Sequence, residues 1–148
     1  QMILNLQAEN EKLKMTQENS SSRVAITSDG KVLRAFSDEE ATSYSIPDGV
    51  TTIAQRAFSE LENLKSVDIP DSVQFITQNA FEDSGLSSVV LPANIKVIDE
   101  YAFFFCQKLS SVGYKGEIYT SISKLEKALK ENGVIIGYHS FASTALAL

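Results

Sequence analysis

The chain has 148 residues, of which 43% are apolar and 22% charged, which suits one compact domain with an appendage. Its net charge of −6 and its lack of basic runs argue against nucleic acid or an anionic membrane surface as a partner. The single cysteine excludes an internal disulfide and a cysteine-built zinc site. No stretch approaches the roughly 18 apolar residues that would insert across a bilayer.

Residues 1–18 contain no Gly or Pro and predict a helix that oligomerises as a coiled coil. Alternating three- and four-residue steps define the a and d positions of a heptad, at Ile3, Leu6, Asn10, Leu13 and Gln17. An Asn at an a position favours a parallel dimer over a trimer. Because the pattern covers little more than two heptads, the alternative is a helical tail that packs on the rest of the chain or frays. The opening residues lack the features of a signal peptide, so we expect any export signal to lie upstream or to have been removed.

A polar linker at residues 19–22 separates this helix from a predicted β-hairpin. Two strand-like runs, Val24 to Thr27 and Lys31 to Phe36, flank an Asp29-Gly30 pair, which is a strong signal for a tight turn between antiparallel strands. Because a stack of repeats leaves apolar surface open at its first unit, we expect the hairpin to cap that end.

One pattern then occurs three times along the chain. An apolar residue and a Pro are followed, at fixed spacing, by two branched apolar residues and an Ala-Phe pair. The prolines of the three units, Pro47, Pro70 and Pro92, lie 23 and 22 residues apart. A period in the twenties is typical of a leucine-rich-repeat solenoid, in which each unit needs its neighbours to bury its apolar face.

Apolar residues at alternate positions lead into each Pro and predict one short strand per unit. The Pro lacks a backbone donor, so the strand is expected to end there. A similar strand precedes Pro47, which gives the stack at least four strands. The second unit is one residue shorter than the first, and we expect Gly85, in its tightened corner, to adopt unusual dihedral angles.

When the strands are aligned, two columns of residues point away from the apolar side and should face solvent. The candidate partner-binding residues in these columns are Ser43, Ser66, Asp68, Ser88, Val90 and Ser111. The first column consists of serines, and Ser45 and Gly113 complete the second. This flat surface of small residues either accepts a partner or reflects only the preference of closely spaced strands for small polar side chains.

A run of three phenylalanines follows the third repeat's Ala. Phe103 occupies the repeated core position, whereas Phe104 and Phe105 replace polar or charged residues of the other units. Paired aromatic residues at such positions are typical of interface anchors, and Tyr101 extends the candidate partner-binding surface. The alternative is that a C-terminal helix covers Phe104 and Phe105.

That helix is predicted by the helical spacing of Ile118, Ile122, Leu125 and Leu129. A capping box formed by Ser123 and Glu126 would begin it, and Asn132-Gly133 would end it. A degenerate last repeat then runs from Ile136 to Phe141, with Leu146 at the position of the next unit's leucine. We expect these elements to cap the other end of the stack.

The predicted fold is therefore an α+β repeat: a short solenoid with an N-terminal hairpin cap, a C-terminal helical cap and an N-terminal coiled-coil helix. The predicted segments are the stalk and linker (1–22) and the repeat domain (23–148). The domain divides into the hairpin cap (23–43), the repeats (44–114) and the C-terminal cap with its degenerate repeat (115–148).

No catalytic, cofactor-binding or metal-binding residues are predicted. The one Cys, Cys106, holds a core position, and the one His, His139, falls at a turn position of the last repeat. The sequence also lacks a nucleophile elbow, a phosphate-binding glycine loop and a calcium loop.

The repeated unit, Ile46-Pro47 through Ala57-Phe58 and its two copies, resembles the BspA-like leucine-rich repeat family, also called the Treponema pallidum type. The resemblance covers residues 46–114. The Cys that follows Ala-Phe in the family is present only as Cys106, with Leu61 at its place in the first unit. Membership implies a non-enzymatic cell-surface or secreted protein that serves adhesion or protein recognition, although no signal or anchor is visible in the sequence.

The leading hypothesis is therefore a recognition or adhesion module that binds a protein or a host cell-surface ligand. A homo-oligomer formed through residues 1–18 would multiply weak binding. The competing hypothesis is structural: an intracellular scaffold, or the tip of a stalk, that self-associates.

Overall fold

A computed structural model of the chain describes residues 23–148 as a β-solenoid that contains one helix. The eleven strands of this part are β1 (Val24–Ile26), β2 (Val32–Phe36), β3 (Ser43–Ser45), β4 (Thr52–Ile53), β5 (Ser66–Asp68), β6 (Phe75–Ile76), β7 (Ser88–Val90), β8 (Val97–Ile98), β9 (Ser111–Tyr114), β10 (Glu117–Tyr119) and β11 (Ile135–Ile136). The helix is α1 (Ile122–Glu131). The predicted coiled-coil positions Ile3, Leu6, Asn10, Leu13 and Gln17 lie outside the described residues.

Each turn of the solenoid, here called a rung, contributes two short strands where the sequence predicted one. The second strand of each rung joins a six-stranded sheet in the order β1-β2-β4-β6-β8-β11. On the other side, the strands before the prolines (β3, β5 and β7) form two smaller sheets together with β9 and β10, in the orders β3-β5 and β10-β9-β7. Repeats pair in parallel at equivalent positions, so that Ser43 lies beside Ser66 and Ile53 beside Ile76. The sequence did not predict the second strand of each repeat, because a strand of two residues is too short to show an alternation of apolar and polar residues.

The core is a set of columns in which each rung places the same apolar residue above its counterpart. Phe58, Phe81, Phe103 and Phe141 form an aromatic column with ring centroids 4.9 to 5.3 Å apart and nearly parallel planes. All four side chains are almost completely buried. Stacking identical residues at the strand spacing removes large rings from water at every rung, which favours this register over shifted alternatives.

The segment that carries each phenylalanine is a tight turn with two residues of positive φ. These residues are Arg56, Glu60, Asn79, Asp83, Tyr101, Phe105, His139 and Ser143. The backbone N–H between them donates to the next rung: Phe81 donates to the Ala102 carbonyl at 2.7 Å, and Phe103 to that of Ser140 at 2.7 Å. Hydrogen bonds to the neighbouring rung therefore hold residues in a region that side chains normally avoid.

Gly85 is needed for close approach rather than for an unusual dihedral. It is not among the residues with positive φ, which contradicts the expectation from the shortened corner. A β-carbon at this position would lie 2.0 Å from the carbonyl oxygen of Glu62. Removing one residue from the second rung thus brings its corner directly against the backbone of the first.

The predicted hairpin is present at the start of the described chain. Strands β1 and β2 pair antiparallel, and Gly30 takes a φ of 76° in the turn. Strand β2 also pairs in parallel with β4, and Leu33 is fully buried. The hairpin therefore continues the six-stranded sheet and contributes to the core.

The region after β9 differs from the prediction in two respects. Ile118 lies on β10 with 76% exposure and is not part of the helix, because Lys115 and Gly116, both with positive φ, turn the chain into a β9-β10 hairpin. The N-cap is Ser121, whose hydroxyl accepts from the Lys124 N–H, and not the predicted Ser123. With β10 ending just before it, the helix begins one turn later than the spacing of apolar residues suggested.

The degenerate last repeat forms a real rung. Strand β11 pairs in parallel with β8, and Phe141 stacks on Phe103. Ser140 takes the place of the repeated alanine and is fully buried, and its hydroxyl donates to the Gly137 carbonyl at 2.7 Å. This bond satisfies the polar group that the altered sequence brings into the core.

Candidate interaction surfaces

The most distinctive surface is a cluster of five rings on the turns of the last two rungs. This aromatic patch consists of Tyr101, Phe104, Phe105, Tyr138 and His139. Phe105 is 42% exposed and Tyr138 63% exposed, while Tyr101 and Phe104 are half-buried. Two of the candidate residues, Phe104 and Phe105, are thus partly open to solvent.

The rings of the patch contact one another in sequence across the two rungs. Phe105 packs against Phe104 with centroids 5.8 Å apart, and Phe104 meets Tyr101 edge-on at 5.1 Å. Tyr101 in turn meets Tyr138 edge-on at 5.9 Å. The His139 ring stacks on Tyr138 at 3.7 Å and lies 5.9 Å from Tyr101. The patch is one connected surface, and its phenylalanine and tyrosine pairs have the geometry of favourable aromatic pairs.

The C-terminal helix does not cover Phe105. Helix α1 packs against β10 and β11 through the buried residues Leu125 and Leu129. The side of the helix that carries Ile122, Glu126 and Lys130 borders a groove of about 670 Å³ beside Tyr138 and His139. The helix therefore adjoins the patch at one edge and leaves Phe105 at the other edge open.

Sequence reasoning missed Tyr138 and His139 as members of this patch. His139 lies exposed at a turn position, as predicted, but it was considered alone. Alignment of the last repeat with the third puts His139 in the column of Tyr101, and Tyr138 in that of Glu100. A comparison of columns over the turns, in addition to the strands, would have brought these aromatic residues together.

The second candidate surface is the strand face. Its residues pair as aligned: Ser45 lies beside Asp68, Ser88 beside Ser111 and Val90 beside Gly113. The exposed members are Ser43, Ser45, Ser66, Asp68, Ser88 and Val90, while Ser111 and Gly113 are half-buried. The Ser45 hydroxyl donates to the Asp68 carboxylate at 2.9 Å. Val90, at 68% exposure, is the large apolar side chain of this face.

The strand face is interrupted between β5 and β7. At the end of β3 the Ile46 N–H donates to the Asp68 carbonyl at 3.0 Å, and after β7 the Leu91 N–H donates to that of Gly113 at 2.8 Å. The equivalent Ile69 N–H makes no backbone bond among the described residues. A crevice of about 200 Å³ opens there. The ladder of strand hydrogen bonds is therefore interrupted between β5 and β7, although the Ser87 N–H still donates to the Lys65 carbonyl at 3.2 Å just before these strands.

The described residues offer little for catalysis. Within 23–148, no group of three or more His, Cys, Asp and Glu side chains is arranged to hold a metal ion. Cys106 is fully buried and its thiol donates to the Phe81 carbonyl at 3.0 Å, and burial raises the pKa of this thiol. A buried thiol with a raised pKa is a poor nucleophile. In the part of the chain that the structure covers, no helix is both long and apolar enough to cross a membrane.

Comparison with known protein families supports the repeat that the sequence predicts. The family profile described as a BspA type leucine rich repeat region, in six copies, matches residues 33–147. No curated protein matches the chain. A solved leucine-rich repeat protein from Eubacterium ventriosum is 15% identical over 83% of this chain, with a TM-score of 0.37. The chain spans about half of that protein, 48% of its length.

The profile match covers more than half of the chain and includes every rung described above. Proteins with this repeat are generally interaction or surface proteins, and the repeat is typically non-enzymatic. The chain therefore belongs to the BspA-type leucine-rich repeat family.

Proposed function

We propose that this chain is a non-enzymatic recognition or adhesion module that binds a protein or a host cell-surface ligand through the aromatic patch. The observation that carries the proposal is the set of five connected rings, three of them exposed, on the turns of adjacent rungs. In the other rungs the same positions hold mostly polar residues. Exposed aromatic clusters of this kind provide the anchors of many interfaces.

Backbone hydrogen bonds join the two turns that carry the patch. The Tyr101 N–H donates to the Tyr138 carbonyl and the Phe105 N–H to the Ala142 carbonyl, both at 3.0 Å. These bonds fix the two turns relative to each other before any partner arrives. A preorganised surface loses little conformational entropy on binding, so weak contacts contribute more of their energy to affinity.

The remaining parts of the chain serve display and end protection in this proposal. Residues 1–18 form a parallel dimer that presents two patches, which raises the apparent affinity for a surface bearing many copies of the ligand. Residues 23–43 and 115–148 cap the two ends of the stack. The protein is secreted or displayed on a cell surface.

The patch can be tested by replacing its phenylalanines with the residues that occupy the equivalent positions of another rung. Phe104→Ala/Phe105→Ser copies Ala142 and Ser143 of the last rung and should leave the fold intact. The control is Ile118→Ser, which removes an apolar side chain on β10 that is even more exposed than Phe105. We expect binding to an array of purified cell-surface ectodomains and to intact cells to fall at least about tenfold in the patch variant alone. Equal binding by both variants would refute the proposal.

The competing function is a structural one, in which the patch of one copy packs on that of another. It is favoured by the same exposed rings, because a self-complementary apolar surface also serves a symmetric dimer. Light scattering on residues 23–148 separates the two: a concentration-dependent mass that the patch variant abolishes supports self-association. The same measurement on residues 1–148 tests the stalk, and equal monomeric masses with and without residues 1–22 would exclude it.

A further inference from the structure

Phe105 forms one edge of a crevice that crosses three rungs. The crevice holds about 230 Å³ and is lined by Glu62, Asp83, Ser84, Gly85, Phe105, Gln107 and Lys108. Ser84 and Gly85 are buried. Its position follows from the shortened second rung, whose corner lies directly against the backbone of Glu62. The crevice therefore adjoins the exposed end of the aromatic patch.

Among the described residues, the charged side chains that line this crevice form no ion pairs. The ion pairs among the described residues are Arg23–Asp38 and Arg56–Glu82, and neither involves the crevice. In residues 23–148 the carboxylates of Glu62 and Asp83 make no side-chain hydrogen bond either, and Lys108 lies too far from both to form an ion pair. Within 23–148, two carboxylates without an ion-pair partner and one exposed ring thus line the same crevice with a single lysine, on a chain whose net charge is −6.

We propose that this crevice receives an arginine side chain of the partner protein, an inference that rests on the proposed function and names its partner chemistry. The guanidinium packs against the Phe105 ring and pairs with the Asp83 and Glu62 carboxylates. Arg fits better than Lys because a planar, weakly hydrated cation both stacks on an aromatic ring and pairs with carboxylates in a forked geometry. Lys108, at the rim, opposes the incoming charge and limits the affinity.

The probe is the peptide acetyl-Gly-Arg-Arg-Gly-amide, compared with its citrulline counterpart, which has the same shape without the charge. Titration of the ¹⁵N-labelled chain should shift the amide resonances of Asp83 and Phe105 saturably with the arginine peptide. We expect the citrulline peptide to bind at least about fivefold more weakly, because it lacks both the ion pair and the cation–π contact. Equal binding of the two peptides would overturn the inference.

Charge variants locate the site. Glu62→Gln/Asp83→Asn should weaken the arginine peptide at least about threefold, and Lys108→Gln should tighten it about twofold, since the local charge changes in opposite directions. The control Glu40→Gln/Glu117→Gln removes the same charge at two exposed positions elsewhere. Thermal unfolding of each variant verifies that it remains folded. If the control weakens binding as much as the crevice variant, the attraction comes from net charge and the site is refuted.

The two proposals fail separately. Loss of ectodomain or cell binding in the Phe104→Ala/Phe105→Ser variant, with no effect of Glu62→Gln/Asp83→Asn, would keep the recognition function and refute the arginine site. Specific arginine binding at the crevice, with unchanged ectodomain and cell binding by the aromatic variant, would support the arginine site and refute recognition through the patch.

Discussion

The rings of Phe81 and Phe103 lie face to face, with centroids 5.1 Å apart and planes only 3° from parallel. Both side chains are fully buried. They occupy the middle of the aromatic column, so each has an aromatic neighbour on both sides. In a solenoid each rung contacts only its neighbours, so this column is a continuous link through the core.

Replacing Phe81 by Ala should therefore lower the free energy of unfolding by about 3 to 5 kcal/mol, because it creates a cavity and removes two ring stacks. Urea denaturation followed by circular dichroism measures the change. The control is Phe105→Ala, since exposed positions usually cost within about 0.5 kcal/mol. Similar losses for the two variants would show that the column is not a principal source of stability.

Gly85→Ala should destabilise the fold because the new methyl group would overlap the Glu62 carbonyl oxygen, which belongs to the backbone and cannot rotate away. We expect a loss of about 2 kcal/mol or more, in the range of overpacking changes. Gly113→Ala is the matched control, since the atoms nearest to its β-carbon would belong to the Val90 side chain, at 3.2 Å and beyond. A larger loss at Gly113 than at Gly85 would contradict the close-approach explanation.

Ser121→Ala should cost about 1 kcal/mol, because it removes the side-chain acceptor for the first turn of α1. Ser123→Ala should cost much less, since Ser123 is not the N-cap and its hydroxyl bonds only to exposed groups. The measurement is the urea midpoint of each variant at constant m-value. A larger loss of stability for Ser123→Ala than for Ser121→Ala would support the capping box expected from the sequence.

Burial raises the pKa of the Cys106 thiol, with weaker contributions of the same sign from the charges of Asp83 and Glu82, while its hydrogen bond with Ser84 acts in the opposite direction. The unfolded chain therefore loses this proton at lower pH than the folded chain, and stability should fall as pH rises above about 8.5, the ordinary thiol value. Unfolding free energies between about pH 8 and 10 should decline less steeply in Cys106→Ala than in the natural sequence.

Comparison of slopes is needed because burial also raises the pKa values of Tyr44 and Tyr114, which act with the same sign at higher pH. Those tyrosines are present in both proteins and cancel in the comparison. Parallel slopes would mean that Cys106 contributes nothing to the alkaline loss. As an independent check, iodoacetamide should modify Cys106 much faster in urea than in the native state.

The sequence by itself determined the rung. Pro47, Pro70 and Pro92 are each followed by apolar residues at the same spacing. The strands can bury these apolar residues together in only one register, the one that places equivalent positions side by side. It also revealed Phe104 and Phe105, because repeats make an exception visible: an aromatic residue stands where its counterparts are polar. Of the candidate site, therefore, three of the five rings were evident from sequence.

Only the tertiary structure decided which turns lie beside one another and which groups meet at the surface. It added Tyr138 and His139 to the aromatic patch, since these residues follow a helix and a hairpin in the chain but lie one rung away in space. It also showed that the strand ladder is interrupted between β5 and β7, and it placed Glu62 against Gly85. The periodicity of apolar residues shows which side chains each rung buries. Contacts between exposed side chains depend instead on how the rungs stack. These side chains are not buried, so no apolar pattern in the sequence reveals their contacts.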